Sequence, residues 1–317
     1  MNIKEIYDYF IETGMKNDPR TAGEVKAFLA REKEKYDELK EDEKKEYDLE
    51  ALTNPYSDTR ILHGDPAQPV ERAMVGIDID AGEVMLADRL GEKGKKVDLI
   101  IAHHPSGKAL SGLHEVMHLQ EDILVKYGVP VNIAESIMEP RIKEVKQLLM
   151  PMNHNRALDA AKLLGIPLMC AHTVADNQVV HFLQELLDGE KPRILGDLLK
   201  ILKAIPEYAE ATKYKAGPEI MLGSENRSAG KILVDMTGGT GGSDKAFENL
   251  SRAGVSTIVG MHISDKNRKK AEENHVNVVI AGHIASDSLG MNLLLDGLEK
   301  KGVEVISCSG MIRNSRV

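Results

Sequence analysis

The chain of 317 residues has no tryptophan and only four phenylalanines, which leaves few aromatic rings for stacking on nucleic-acid bases. Its formal net charge of −9 also opposes the binding of a polyanion. The two cysteines, Cys170 and Cys308, lie far apart and form no CxxC pattern, which favours a reducing interior over a disulfide framework. We therefore expect no nucleic-acid partner.

Long hydrophobic runs are also absent, since none approaches the roughly 18 to 20 apolar residues of a membrane span. The first residues, MNIKEIYDYFIETGMKND, lack the positive segment and apolar core of a signal peptide. These absences predict a cytoplasmic protein without a membrane partner. A hydrophobic content of 42% and a charged content of 29% suffice for one large or two medium globular domains.

Residues 1–50 carry dense charge on a helical pattern, and a proline-containing connector follows up to residue 69. A thin apolar stripe marks one face of this segment: Val25, Phe28, Leu29, Tyr36 and Leu39. The stripe favours a helical N-terminal arm that packs along the body of the protein over an arm that binds a partner or another subunit.

From residue 70 onward, short apolar runs alternate with helical patterns, which predicts an α/β fold with helices flanking central sheets. The predicted strands are AMVGIDID, VDLIIA, VPVNIA and IPLMCA in the first half, and KILVDM, STIVGM, VNVVIA and VEVIS in the last third. We expect a first α/β lobe at 70–180, an inter-lobe linker region at 181–229 and a second α/β lobe at 230–317.

Three of these strands end in metal-ligand residues. VDLIIA runs into His103 and His104, IPLMCA into His172 and Asp176, and VNVVIAG into His283 and Asp287. Imidazole and carboxylate ligands suit Zn, Fe or Mn, and the carboxyl ends of parallel strands converge on one crevice. The alternative for each His–Asp motif is structural, with histidine closing a loop and aspartate capping a helix. Their recurrence favours a metal site.

The pair His103-His104 itself hints at more than one ion. Pro105 biases His104 toward an extended backbone, on which neighbouring side chains point to opposite sides. The two rings would therefore most easily serve two different metals.

A glycine-rich turn, TGGTGGS, follows the strand KILVDM. Its backbone N–H groups make a possible anion site at Gly238, Gly239, Gly241, Gly242 and Ser243. The run lacks the GK[ST] ending of a P-loop and does not spell GxGxxG. Tight turning from strand to helix explains it nearly as well.

The segment His114-Glu115-Val116-Met117-His118 matches the HExxH signature of zinc peptidases, in which two histidines on one helix face bind zinc. The metzincin continuation is absent, since LQEDIL follows. A third ligand would have to come from Glu135 or Glu139. An accessory metal site beside the strand-end cluster suits His114 and His118 better, and His172 is a further accessory candidate. The plain alternative is the polar face of a surface helix.

Taken in order, the motifs resemble the Nif-three-like family (Ngg-interacting factor three), often identified as GTP cyclohydrolase 1 type 2 homologues. The resemblance spans roughly residues 70–305 and rests on VGIDIDAGEVMLADRL, DLIIAHHP, AHTVADN, DMTGGTGGS and AGHIASD. It implies two α/β lobes, a dinuclear metal centre in the cleft between them and a toroidal homohexamer. The ligands implied by motif are His103, His104, Asp176, His283 and Asp287.

The chain departs from the family pattern in its last motif, where Asp287 stands in place of a glutamate that reaches roughly 1.5 Å farther. The spacing between the HHP and HTxxD motifs is also longer than in compact members, and the additional sequence contains HEVMH. The N-terminal arm lies outside the resemblance. These departures leave open whether Asp287 bridges two metals and whether His114 or His118 completes the site.

The favoured function is a dinuclear metal-dependent hydrolase acting on a nucleotide-like or phosphorylated small molecule. No catalytic side chain is assigned, because the attacking group would be a metal-activated water. One alternative is a metal chaperone or scaffold that uses the same ligands without turnover. A less favoured alternative is the zinc metallopeptidase.

Overall fold

Two β-sheets organise the chain in the computed structural model, which describes residues 1–317. The first sheet contains β1 (Thr59–His63), β2 (Arg72–Gly76), β3 (Leu99–Ala102), β4 (Leu168–Ala171) and β9 (Glu304–Cys308), in the order β1-β4-β3-β2-β9. β1 is antiparallel to β4, and the other pairs are parallel. The predicted α/β class is confirmed by this sheet and its flanking helices.

The second sheet contains β5 (Glu219–Leu222), β6 (Lys231–Asp235), β7 (Val255–Gly260) and β8 (Asn277–Ile280), in the order β5-β8-β7-β6. β6, β7 and β8 run parallel, and β5 pairs antiparallel with β8. The two sheets thus share one plan, a parallel core with a single antiparallel edge strand.

The helices before the first parallel crossover are α1 (Ile3–Lys16), α2 (Ala22–Glu38), α3 (Glu41–Lys44) and a 3-10 turn at Leu49–Leu52. Those of the first half are α4 (Ala81–Glu92), α5 (Gly107–Ser111), α6 (Leu113–Val116), α7 (His118–Tyr127), α8 (Val131–Leu149) and α9 (Arg156–Leu164). The remainder are α10 (Thr173–Glu190), α11 (Leu195–Lys203), α12 (Pro206–Lys213), α13 (Ala246–Arg252), α14 (Asp265–Glu273) and α15 (His283–Glu299). None is both long and apolar enough to cross a membrane.

Local sequence accounts for many element boundaries. α1, α2 and α4 each begin with a capping box, in which the side chain before the helix and a glutamate three residues later satisfy opposite backbone N–H groups. α7 and α9 end at Gly128 and Gly165, whose φ angles of 108° and 66° suit glycine. β3 is an uninterrupted apolar run, LIIA, because both of its faces are covered.

The helices α10 and α15 lie between the two sheets. Residues of both helices belong to the core cluster beneath the first sheet and to the core cluster beneath the second. α4 and α9 cover the outer face of the first sheet, and α7, α8 and α13 cover that of the second. The start of α10 packs with the first sheet and the start of α15 with the second, so the contact between the two helices links the sheets.

The N-terminal arm is helical as expected, but its first helix is a core element. Ile3, Ile6 and Phe10 of α1 are fully buried among residues of the first sheet and α15. In α2 only Val25 of the predicted stripe is buried. α1 carries the stronger amphipathic pattern, whereas the charged α2 stays largely in solvent.

One predicted strand is wrong. VPVNIA is not a strand, because its residues begin the 19-residue helix α8, which runs without interruption past Pro140. The buried positions Ala134, Ile137, Met138, Ile142 and Val145 recur at helical spacing, which a six-residue window does not reveal. The segment that contains HEVMH is divided between two helices, α6 and α7.

The chain crosses between the sheets more often than the expected lobe boundaries imply. β9 pairs in parallel with β2, so the end of the 230–317 segment lies in the first sheet. β1 belongs to the connector before residue 70, and β5 of the second sheet lies within the 181–229 segment. The boundaries of independent lobes stay a prediction, and the sheets themselves are formed from non-contiguous segments.

The close crossing of α10 and α15 generates the first prediction. A Cβ at Gly290 would collide with the backbone carbonyl oxygen of Ala175. We expect Gly290→Ala to lower the free energy of unfolding by about 2 kcal/mol, because overpacking there forces the helices apart. Gly189→Ala is the control, since nothing lies within 4 Å of its Cβ and helical alanine adds roughly 0.5 kcal/mol. Urea unfolding followed by circular dichroism would measure both, and equal stabilities would contradict the prediction.

Candidate metal centre

The carboxyl ends of strands from both sheets meet at the first turns of α10 and α15. His103 and His104 follow β3, and His172 follows β4 directly before α10, which carries Asp176 in its first turn. His283 is the first residue of α15 and Asp287 lies one turn later. The first sheet thus contributes four of these six residues, and the second sheet contributes the other two.

The six side chains form three overlapping sets. Within each set, the ligand atoms all lie within 4.8 Å of one another. The sets are His103, His104 and His172; His104, His283 and Asp287; and His103, Asp176 and Asp287. His103, His104 and Asp287 each belong to two of them. These groups are able to hold metal ions, as the recurring motifs at the strand ends predict.

Three of the histidines are anchored by their outer ring nitrogen. The Nδ1 atom of His103 lies 3.2 Å from the carbonyl oxygen of Ala171. Those of His104 and His172 lie 2.7 Å from Asp78 Oδ1 and 2.8 Å from Asp58 Oδ2. Since these oxygens accept hydrogen bonds, each Nδ1 carries the proton and donates it. Each Nε2 is therefore left with a lone pair.

Those lone pairs point at carboxylate oxygens. His103 Nε2 lies 3.5 Å from both Asp176 Oδ1 and Asp287 Oδ1, and His104 Nε2 lies 3.5 Å from Asp287 Oδ2. Four of these atoms are buried without any hydrogen-bond partner: His103 Nε2, Asp176 Oδ1 and both carboxylate oxygens of Asp287. Buried acceptors that face one another need a cation between them. The residues therefore fit divalent metal ions.

The cluster is closed on one side and open on the other. His103 and Asp287 are at most 1% exposed, and Asp176 is also buried. The side chains of His104 and His283 retain 27% and 41% of their accessible surface. A small molecule can therefore approach only from the His104–His283 side.

Burial and charge shift the titration of the cluster in opposite directions. Burial lowers the pKa of His103 to about 4, although Asp287 opposes the shift. Burial would also lower the pKa of His172, but Asp176 and Asp58 outweigh it and raise this pKa to about 9. Burial raises the pKa of Asp176 well above its ordinary value, with His172 opposing. Without a metal, protons held by His172 and Asp176 therefore replace the positive charge that an ion would supply.

The shorter side chain of Asp287 still reaches both halves of the cluster. Its Oδ1 faces His103, while its Oδ2 lies 3.5 Å from Nε2 of both His104 and His283. Burial raises the pKa of Asp287, yet His103, His283 and His104 outweigh it and lower this pKa below the ordinary value. The carboxylate is thus placed between the two sheets despite lacking a methylene.

Three neighbours of the cluster did not follow from the sequence analysis. Asp58 and Asp78 anchor His172 and His104, and His262 lies with its ring centroid 5.0 Å from that of His283. His262 follows β7, so the same pattern of a strand that ends in histidine could have identified it. Asp58 lies in the connector before the first sheet, where no local pattern marks it.

The HEVMH segment stays apart from the cluster. Its helix is interrupted at Met117, and His114 Nδ1 contacts the Ser111 carbonyl oxygen at 3.2 Å. His118 Nδ1 instead lies 3.0 Å from Glu121 Oε2 in its own helix. Neither histidine belongs to a set of converging ligand atoms, whereas His172 does. The interruption explains why the HExxH spacing does not form a peptidase-like pair.

The glycine-rich turn is packed against α7 and α8. Gln120 donates hydrogen bonds of 2.6 Å to the carbonyl oxygens of Gly238 and Thr240, and Arg141 donates one of 2.9 Å to that of Gly241. A Cβ at Gly238, where φ is 88°, would lie 2.7 Å from Gln120 Cγ. Close packing therefore accounts for this glycine. Anion binding at Gly238, Gly239, Gly241, Gly242 and Ser243 stays an untested prediction.

Comparison with solved structures finds several similar proteins. A NIF3 superfamily protein from Sphaerobacter thermophilus is 29% identical, with a TM-score of 0.70, covering 80% of this chain and 91% of that one. Reduced HcgD from Methanocaldococcus jannaschii is 18% identical, with a TM-score of 0.49 over 78% and 87% of the two chains. A Bacillus cereus protein related to NIF3 is 13% identical, with a TM-score of 0.42 over 82% and 91%. No protein-family model and no curated relative matches the chain.

The low pKa of His103, about 4, generates a prediction for the metal-free protein. Unfolding restores an ordinary pKa near 6.5 to His103. Between about pH 4 and pH 6.5, the unfolded state therefore binds a proton at this ring that the folded state does not bind. The contribution of His103, present above pH 6.5, is therefore lost as the pH falls toward 4, by about 2 kcal/mol between pH 6.5 and 5. The raised pKa of Asp176 acts in the opposite direction, so the contribution of His103 is the difference between the wild type and a variant without this ring. The raised pKa of His172 acts in a different interval, where stability is lost as the pH rises from 6.5 through 9.

Urea unfolding of chelator-treated protein at pH 6.5 and 5 would measure this loss. His103→Asn is the control, because it has no titrating ring at this position. An equal loss of stability in the wild type and in His103→Asn would contradict the assignment to His103.

Proposed function

Since this chain belongs to the NIF3 superfamily, we propose that it is a dinuclear metal-dependent hydrolase acting on a nucleotide-like or phosphorylated small molecule. The observation that carries the proposal is the set of four buried, unpartnered ligand atoms on His103, Asp176 and Asp287. Donors of this kind suit Zn, Fe or Mn.

Two of the ligand sets suggest how two ions would be held. His103, Asp176 and Asp287 would hold the buried ion, and His104, His283 and Asp287 the ion nearer solvent. Asp287 is the shared residue, because its two oxygens face different histidines. His172 would assist on the buried side, where its ring centroid lies 4.9 Å from that of His103.

When bound, divalent ions would supply Lewis acidity and lower the pKa of water toward neutrality. The chain contributes orientation, since Asp58 and Asp78 fix the rings of His172 and His104 through Nδ1. It also keeps water from all sides except the His104–His283 side.

The charge of the site supports an anionic substrate. Among the proposed ligands, Asp176 and Asp287 bring two negative charges and neutral histidines bring none, so two divalent ions would leave the ligand shell itself positive, although Asp58 and Asp78 behind the rings offset part of that charge. A phosphate or another anionic group entering beside His104 and His283 would be attracted to that excess. The partly exposed ring of His262 lies next to His283 on the same approach.

Metal content tests the proposed ligands. We expect purified wild-type protein to hold two divalent ions per chain, and His103→Ala/His104→Ala to lose most of both, because each ion loses an imidazole donor. Inductively coupled plasma mass spectrometry would count the ions. His114→Ala/His118→Ala is the matched control and should keep both, since these histidines stay outside the cluster. Full retention of metal by the first variant would refute the site.

Hydrolysis tests the reaction. Metal-loaded protein is expected to release product from at least one member of a panel of nucleotides and phosphorylated small molecules, as followed by liquid chromatography. Asp176→Asn keeps the side-chain volume but removes a charge, and we expect it to lower turnover by about 100-fold. Chelator treatment should abolish turnover and reloading should restore it. Two bound ions without turnover on any substrate would contradict the hydrolase and favour the metal chaperone or scaffold.

A further inference from the structure

A chain of buried hydrogen bonds runs from the loop after α1 to the second sheet. Tyr56 Oη donates to Asp18 Oδ2 at 2.7 Å and accepts from Asn177 Nδ2 at 3.2 Å. Thr237 Oγ1 in turn donates to Asn177 Oδ1 at 2.7 Å. These four residues come from the N-terminal segment, the connector before β1, helix α10 and the turn after β6. Asn177 is the member at the centre, and it directly follows Asp176.

The outer end of this chain is fixed by a buried ion pair. Arg20 Nε and Nη2 each lie 2.9 Å from one carboxylate oxygen of Asp18, and the backbone N–H of Arg20 adds a third bond of 2.8 Å. The two side chains are 5% and 0% exposed. Because a buried ion pair of this kind contributes little net stability, its specific effect is to fix geometry. Asp18 is therefore a rigid acceptor for Tyr56.

Asn177 and its neighbour also terminate α1. Asn177 Nδ2 lies 3.2 Å from the carbonyl oxygen of Gly14, and Gln178 Nε2 donates to that of Thr13 at 3.1 Å. These carbonyls belong to the last turn of α1, where backbone donors run out, and that of Thr13 also accepts from the backbone N–H of Asn17. A Cβ at Gly14 would lie 2.7 Å from Val174 Cγ1, so α1 touches the first turn of α10 directly.

The carboxylate of Asp176, in contrast, is held by few hydrogen bonds. Its Oδ1 has no hydrogen-bond partner and lies 3.5 Å from Nε2 of His103, and its Oδ2 lies 3.9 Å from Nε2 of His172. Its position is therefore set by the backbone of the first turns of α10. That backbone is fixed by Gly290 of α15 on one side and by α1 on another.

We propose that Asn177 is a positioning residue of the metal centre, through which the N-terminal segment and the turn after β6 set the location of Asp176. The inference rests on the metal centre of the proposed function and assigns the N-terminal helix a role in it. α1 is then part of the site's framework, although it contributes no ligand. Loss of the hydrogen bonds of Asn177 shifts Asp176 and weakens metal binding more than it weakens the fold.

The experiment compares two valine substitutions of buried threonines. Thr237→Val removes the hydroxyl that donates to Asn177. Thr257→Val is the matched control, because Thr257 is fully buried in β7 and donates at 2.6 Å to the Ala229 carbonyl oxygen, outside the chain of hydrogen bonds at Asn177. Asn177→Ala and Tyr56→Phe test the other bonds, and Thr237→Ser retains the hydroxyl.

Titration with Co²⁺ would measure affinity, and the visible absorption of the bound ion would report ligand geometry. We expect Thr237→Val and Asn177→Ala to weaken the binding of at least one ion by about 10-fold to 100-fold and to alter its spectrum, with a smaller effect for Tyr56→Phe. Thr237→Ser should restore affinity. Thr257→Val should lower the melting temperature about as much as Thr237→Val does, yet bind cobalt like the wild type.

Two results would overturn the inference while leaving the metal centre intact. One is wild-type affinity, within a factor of two, in both Thr237→Val and Asn177→Ala. The other is an equal loss of affinity in Thr257→Val, which would make the effect one of general stability. Failure of the wild type itself to bind cobalt is a different outcome, because it refutes the metal centre and this inference together.

Discussion

Five acceptor-bearing side chains meet in the interior of this protein with their lone pairs directed at one another, and the remainder of the fold holds them there. The anchors at Ala171, Asp58 and Asp78 turn three imidazole rings so that each Nε2 faces inward. Opposite them lie the carboxylates of Asp176 and Asp287, both buried. Such an arrangement is repulsive unless positive charge is added. The fold therefore favours the binding of cations at this position. The two sheets and their helices are rigid enough to hold the acceptor atoms together.

The position of the cluster follows from how the sheets share their central helices. α10 and α15 each begin at the carboxyl end of a strand, one in each sheet, and then pass between the sheets against each other. Since Asp176 and Asp287 lie near the starts of these helices, neither sheet alone can assemble the site. Any relative movement of the sheets changes the separation of the two carboxylates.

Much of the ligand set could be predicted from sequence because it depends on local order. A buried strand ends, the chain turns, and the next side chains lie at the sheet's carboxyl edge, which is how His103, His172 and His283 were identified. The role of Asp58 could not be predicted, because its partner His172 is 114 residues away and nothing near Asp58 in sequence distinguishes it from a loop aspartate. The HEVMH segment suggested a pair of zinc ligands on one helix face, which the structure does not form. Its spacing is local, but its use requires an unbroken helix, and the chain breaks at Met117.

The unequal exposure of the cluster imposes an order on how it fills and empties. His103, Asp176 and Asp287 are buried, whereas His104 and His283 are the ligand candidates with the most exposed surface. If two ions occupy the site as proposed, an ion bound for the inner position would pass through the outer one, and it would leave only after the outer ion had left. Exchange would then follow a last-in, first-out sequence, with a half-loaded protein as the obligatory intermediate. The inner ion would be kinetically trapped, and brief chelation would remove only its neighbour.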